Sequence, residues 1–489
     1  MAPANLQFGS EPSQQFYDAV VVGAGPNGLA AAITVARAGR TVLVLEAAEV
    51  IGGGTRSVEL TLPGFVHDHC SAIHPLGIAS PFFRSVPLSE HGLDWIHPDA
   101  PLVHALEGGD AAVAERSLEA TCEQLGDDGD AYRRLFGPLV SGVEKILEQN
   151  LGPFHLPRHP LLMASFGLRA IRSACGLSRS WFRGDRAQGL FMGMAAHSVL
   201  PLEDGLTAAV GLMLGLTAHA GGWPVAQGGS QQIADALARY LGTLGGEIVT
   251  NRPVNSLDDL PQAKAVLLDV SPRQVSRIAG EVLPARFRRK LERFRYGPAA
   301  FKLDWALDGP IPWKSSECAR AATVHVGGKL DEVAEAERAP WKGRCAERPF
   351  LLVAQQSLFD PTRAPEGKQT GWAYCHVPHA STVDMTGRIE AQMERFAPGF
   401  RNRILARHAT TPADFQRSNA NLVGGDITGG VMDLRQLFTR PAVRLSPYTT
   451  PAKHIFICSA STPPGGGVHG MCGYHAAQKA LATVLRPGK

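Results

Sequence analysis

Residues 20–28 read Val-Val-Val-Gly-Ala-Gly-Pro-Asn-Gly: a β-type run enters Gly-x-Gly-x-x-Gly, and an Ala-rich segment with helical character, Asn27–Ala38, follows. This order demands a strand, a tight turn and a helix packed back on the strand. Gly23 makes the turn, Gly25 lets backbone approach a diphosphate, and Gly28 lets the helix lie on the strand. The helix start that follows Pro26 offers free N–H groups and a positive dipole end to an anion. A second β-type run, Thr41–Leu45, closes at Glu46, placed to accept hydrogen bonds from a ribose. A carboxylate there disfavours a 2′-phosphate. The reading is a β-α-β dinucleotide-binding unit, and hence an α/β domain.

At 489 residues the chain exceeds one core; about 100–200 residues per domain implies two to four. Apolar residues at 44% and charged residues at 19% exclude a disordered chain. A net charge of +3 supplies no field for nucleic acid. The eight cysteines form no CxxC, so neither a zinc site nor a disulfide scaffold is indicated, and the reading is a reduced, intracellular protein. Residues 1–17 lack a signal-peptide layout and read as a loose tail. No stretch reaches the ~18 apolar residues of a membrane span, so the expectation is a cytoplasmic protein, or one lying on a membrane surface.

From Pro81 to Gly222 the pattern changes to mixed helical segments broken by proline. Gly228–Gly246 reads as a helix, and Glu247–Leu257 and Lys264–Val270 as strands. Val282–Arg295 is a basic, solvated helix; Gly297–Asp308 and Phe350–Pro378 are strand-rich. His454–Cys458 is a last strand, followed by Gly465–Gly467 and an Ala-rich helix. The β-units at both ends predict a nucleotide-binding domain assembled from 18–80, 221–296 and 440–489. Residues 81–220 with 297–439 then form a substrate domain.

Which dinucleotide is read from the next turn. Ile51-Gly52-Gly53-Gly54-Thr55-Arg56 resembles the glycine turn after the acidic strand end in glutathione-reductase-type flavoproteins, where it touches the diphosphate and ribityl chain of FAD. At the far end, Pro464-Gly465-Gly466-Gly467-Val468 again joins a strand to a helix, and FAD is long enough to need both. With these stretches, Gly222–Val254, Gly424–Ile427 and Pro463–Ala477, the chain resembles the phytoene-desaturase-related flavoproteins of the amine-oxidase-like group, in the branch of pyridine nucleotide-disulphide oxidoreductase domain-containing protein 2. The resemblance implies a glutathione-reductase-type Rossmann FAD domain with an inserted substrate domain of mixed sheet and helices. It implies that Val254 contacts adenine through its backbone, and that Gly466, Gly467 and Val468 line the flavin. Gly53, Gly54 and Arg56 join Gly23, Gly25, Pro26, Asn27, Gly28 and Glu46 as cofactor residues.

The branch name does not describe this chain's chemistry. Thr55-Arg56-Ser57-Val58-Glu59 holds no cysteine where disulphide reductases carry CxxxxC, so thiol–disulfide exchange is excluded. No second complete Gly-x-Gly-x-x-Gly with a following acid or arginine is found, so no dedicated NAD(P)H domain is expected. Electrons then come from an apolar or conjugated organic substrate, dehydrogenated by hydride transfer to flavin N5, and leave to oxygen or a quinone. A flavin-dependent isomerase or saturase, and a non-catalytic flavin-binding regulatory protein, remain open alternatives.

Such chemistry asks little of side chains. Lys302, on a predicted strand, resembles the amine-oxidase lysine that holds a water at flavin N5. The resemblance brings Ser71–Pro75 near the flavin ring, which makes His74 a pocket candidate; His197 and His376 are further candidates, and no metal site is read from the histidines. Leu161–Phe182, apolar with several arginines, would form an amphipathic helix, either packed on the substrate domain or suited to a membrane contact and a lipid-soluble substrate's doorway.

Overall fold

The computed structural model describes residues 8–486. Its two main sheets use twelve strands: β1 (Phe16–Val22), β2 (Val42–Leu45), β3 (Leu102–Ala105), β4 (Ala111–Ala114), β5 (Glu247–Val249), β6 (Gln262–Leu268), β7 (Ala299–Leu307), β8 (Thr323–Val326), β9 (Leu351–Ala354), β10 (Gln369–Val377), β11 (Ile404–Thr410) and β12 (Ile455–Ile457). Five helices position the site: α1 (Pro26–Arg37), α2 (Pro160–Ala170), α3 (Asp185–Ala196), α4 (Gln231–Thr243) and α5 (Met471–Leu481).

The first sheet is parallel, in the order β12-β6-β1-β2-β5, so it collects strands from both ends and the middle of the chain. Its central strands are continuous Val and Leu runs because both faces are covered. One face packs on α1, α4 and α5 through small residues such as Ala30, Ala234 and Ala477; the other receives Val275, Phe287 and Leu291. The second sheet is mixed, in the order β11-β7-β10-β9-β8-β3-β4, with β3 and β8 its one parallel pair. One of its faces takes a helical layer that includes α3, and the other takes Met385, Ile389 and Phe396. The architecture is α/β: a Rossmann-type sheet and a mixed sheet with many helices.

Several sequence expectations change here. Of the supposed tail, residues 1–7 lie outside the described residues, but from Gly9 onward the chain is tied down: Gly9 N–H donates to Ile248 O and the Ser13 hydroxyl to Glu247. The strand expected over 247–257 stops at Val249, because Asn251 turns to φ +54° and Pro253 follows. Residues 161–182 form two helices, not one: α2 ends at Ala170, and Ser173 caps a new helix, Ala174–Trp181, by accepting from Gly176 N–H.

Candidate active site

β1, α1 and the end of β2 build the first part of the site. Gly23 sits at φ +104° with the Asp269 carbonyl only 3.0 Å from where a Cβ would stand. A Cβ on Gly28 would fall inside the Gly23 carbonyl, so this third glycine lets α1 lie on β1. A Cβ at Gly25 meets nothing closer than Asp269 Oδ2 at 3.2 Å, and one at Gly53 would stand 3.4 Å from Gly25 Cα. Two backbones thus face each other across a groove. α1 has no side-chain cap, has Pro26 in its first turn, and buries Asn27 Oδ1 without a partner. The Glu46 carboxylate is held by Ala24 N–H (2.7 Å) and Ala48 N–H (3.0 Å).

Asp269, at the end of β6, accepts from Gly28 N–H at 2.9 Å. Burial pushes its carboxyl well above the usual range, with the Gly28 N–H opposing and the nearby Glu46 charge adding. The Arg56 guanidinium donates to Gly53 O and Ser418 O. At the other end, Gly466, Gly467 and Val468 lead to Gly470 (φ +68°) and α5, where His469 Nδ1 accepts from Met471 N–H.

These parts share one cavity of about 850 Å³. Gly23, Gly25, Pro26, Asn27, Glu46, Gly53, Gly54, Arg56, Val254, Gly466, Gly467 and Val468 line it; Gly28 lies just behind, in the helix–strand contact. The remaining wall is apolar and aromatic: Phe166 from α2, Met213, Trp223, and Trp372 and Tyr374 side by side on β10 with ring centres 5.6 Å apart. The uncapped helix end, the facing glycine backbones and the fixed carboxylate fit a long dinucleotide, and the apolar end leaves room for an organic molecule.

The four histidine and lysine candidates divide. His74 and His197 line the cavity. His74 Nε2 lies 2.9 Å from Ser230 Oγ, whose own proton goes to Ser71 O, so His74 is the donor and its Nδ1 carries the lone pair. His197 Nε2 meets His325 Nε2 at 3.1 Å. Burial lowers the pKa of both, His74 to about 4 and His197 to about 3. Lys302 and His376 stand behind the wall. β7 is buried on both faces, so Lys302 brings its own counter-ion two residues along: Nζ is 2.5 Å from Asp304. The Trp372 ring, itself part of the wall, lies 5.3 Å from that ammonium. The expected N5-facing lysine is therefore a neutralised, buried one. His376 Nδ1 is held by buried Glu337 at 2.7 Å, and its Nε2 has no partner.

Sequence reasoning missed three groups. Asp269 was legible only as the end of a strand. Arg440 is fully buried and donates to the carbonyls of Gly429, Ala460 and Ser461, tying two cavity-lining loops together; burial lowers its pKa to about 10. Asp68, between His67 and His69, binds Arg363 (2.8 Å), Ser230 N–H and Ser57, joining the start of α4 to the second sheet's loops.

Comparison with known proteins places this geometry. A family described as NAD(P)-binding Rossmann-like domain matches residues 21–85. The chain is 25% identical to pyridine nucleotide-disulfide oxidoreductase domain-containing protein 2 of Mus musculus, over 94% of this chain and 92% of that protein. It is 25% identical to the neurosporene-forming phytoene desaturase of Rhodobacter capsulatus, over 93% and 92%. The chain is related to the phytoene desaturases. A structure of putrescine oxidase superposes with a TM-score of 0.61 at 18% identity, covering 96% of this chain and 99% of the other, which gives the amine-oxidase-like fold. The protein is thus an oxidoreductase of the flavin type. Its eight cysteines are free, and none stands beside the glycine turn as a disulfide pair.

Proposed function

We propose that the protein is an FAD-dependent oxidoreductase that dehydrogenates an apolar or conjugated organic molecule to form a carbon–carbon double bond, with oxygen or a quinone as final electron acceptor. One observation carries the reading: the glycine cradle and the aromatic wall belong to the same cavity. FAD would supply the hydride acceptor. Glu46 would hold a ribose, the Gly25 and Gly53 backbones and the start of α1 would take the diphosphate, and Gly466–Val468 would line the ring end. Trp372, Tyr374, Phe166 and Met213 hold a substrate of low polarity and keep water out. His74 and His197 are the titratable rings in that wall able to take a proton. The phytoene desaturase relative, by its name a desaturating enzyme, supports the same direction.

The reading includes a membrane contact at the cavity's rim. α2 turns Phe166 inward and leaves Leu161 87% exposed; Phe154, 84% exposed, meets Phe438 edge-on. Arg158, Arg169 and Arg172 lie on the same stretch of chain, a mixture suited to an anionic bilayer surface. Among the described residues no helix is long and apolar enough to cross a membrane. The test is anaerobic mixing of the yellow holoprotein with fractionated lipid extracts. A dehydrogenase bleaches with its substrate; turnover without net bleaching means isomerisation, and neither response from any fraction contradicts the proposal.

A further inference from the structure

Three strands of the mixed sheet floor the apolar end of the cavity. Thr323 of β8 is the register partner of Ala354 on β9, which is the partner of Trp372 on β10; Leu352 and Tyr374 pair in the same way one row along. Side chains alternate across a strand, so all five share one face, and all five line the cavity. The protein leaves the polar atoms of this face unpaired. Thr323 Oγ1 and Trp372 Nε1 are buried and have no partner. The Tyr374 hydroxyl makes no hydrogen bond to the protein among the described residues either, and unlike those two atoms it is open to the cavity. Trp223, also in the wall, gives its N–H to Leu214 O at 3.3 Å, so the wall does not leave all its polar atoms free.

No net charge stands beside them. The Asp, Glu and Arg residues that line the cavity lie on its dinucleotide segments: Glu46, Arg56 in the glycine turn, Asp269 at Gly28, Arg252 whose N–H donates to Glu46 O, and Arg417 beside Ser418, the Arg56 acceptor. Lys302, behind Trp372, is neutralised by Asp304. His197 is kept neutral by burial, which lowers its pKa to about 3. An ammonium or carboxylate brought against Tyr374 would lose its water without gaining a counter-ion, which disfavours it strongly. A plain hydrocarbon would strip water from the Tyr374 hydroxyl and leave it unpaired. A neutral oxygen escapes both penalties: it pairs with the hydroxyl and carries no charge.

We propose that the substrate is an uncharged, largely apolar molecule bearing an oxygen function, a ketone, alcohol or ester, which the Tyr374 hydroxyl holds while the carbon frame lies on Trp372, Leu352 and Ala354. The inference deepens the proposed function and rests on it for the reaction; it names what the same cavity selects. Tyr374 is the specificity-determining residue. Holding one end of the molecule on the sheet also limits which of its C–H bonds can face the cofactor. An amine is disfavoured in spite of the amine-oxidase-like fold, because the site and not the fold sets the preference.

Matched ligands test this without turnover. Holoprotein is titrated anaerobically at neutral pH with two sets, each on one carbon frame: cyclooctane, cyclooctanone, cyclooctanol and cyclooctylamine; then dodecane, dodecanol, dodecylamine and dodecanoate. Tryptophan fluorescence and flavin absorbance report occupancy. On at least one frame a neutral oxygen compound should bind about tenfold or more tighter than the hydrocarbon and the charged members. Tyr374→Phe or Tyr374→Leu, whichever folds, should bring that compound to the hydrocarbon's level. No such preference on either frame, whether through equal binding, tighter binding of the other members or no binding, overturns the inference, as does a preference undiminished in a folded Tyr374 variant. Binding is read whether or not any compound bleaches the flavin. Failure of the dehydrogenase reading therefore shows separately, as the absence of bleaching by every lipid fraction.

Discussion

Replacing Lys302 by methionine removes one half of a buried ion pair and strands the other. Nζ lies 2.5 Å from both Asp304 oxygens, and the two side chains are 1% and 0% exposed. Breaking such a pair from one side costs about 3–5 kcal/mol, because a desolvated carboxylate is left behind; replacing both partners by apolar groups is near neutral. Asp304 softens the loss by taking a proton: burial already pushes its pKa up, and Lys302 is the main opposing influence. Lys302→Met is therefore expected to lose about 3–5 kcal/mol at neutral pH, and Lys302→Met with Asp304→Leu to recover most of it. The sign with pH follows. A carboxyl raised in the folded state binds protons more readily there, so the single variant's deficit against the parent narrows as pH falls through that raised value toward the unfolded one of about 3.9. Chemical denaturation of the holoprotein, followed by tryptophan fluorescence over a pH series, measures this. A single variant as stable as the parent, or a double variant no better than the single, refutes the buried-pair argument.

Acid should also destabilise the parent through its buried imidazoles. Burial lowers His67 and His197 to about 3 and His74, His104, His219 and His469 to about 4, so the folded state stays unprotonated while the unfolded chain takes protons below about pH 6.5. Stability should fall as pH drops from about 6.5 toward about 4; a melting temperature flat over that range contradicts the burial. Gly25→Val should abolish cofactor retention while leaving the fold, since its side chain would enter the cavity beside Asp269 Oδ2, and the absorbance spectrum of the purified variant reports it. Phe154→Ser with Phe438→Ser should weaken flotation with anionic vesicles and leave the spectrum unchanged; undiminished flotation removes the rim from the membrane reading.

The dinucleotide cradle was legible because it is local. Strand, Gly23, Gly25, Gly28 and Glu46 lie within one β-α-β unit, and Gly28 answers to the Gly23 carbonyl inside it. The C-terminal loop was legible for the same reason. Lys302 was read on the right strand but given the wrong surroundings, since only sheet order shows that β7 is covered on both faces and that Asp304 neutralises it. His104 and His325 drew no notice because they become neighbours only through a parallel pairing across more than two hundred residues. The break at Ser173 is a capping event, visible in sequence as a serine before a small-residue turn, yet outweighed by the apolar run on either side.

The central claim, that this cavity holds FAD, has one direct test. Heating the purified holoprotein and identifying the released cofactor by chromatography and mass should yield FAD, one per chain and not covalently attached. A nicotinamide dinucleotide in its place, or a colourless protein that FAD does not reconstitute, contradicts the account.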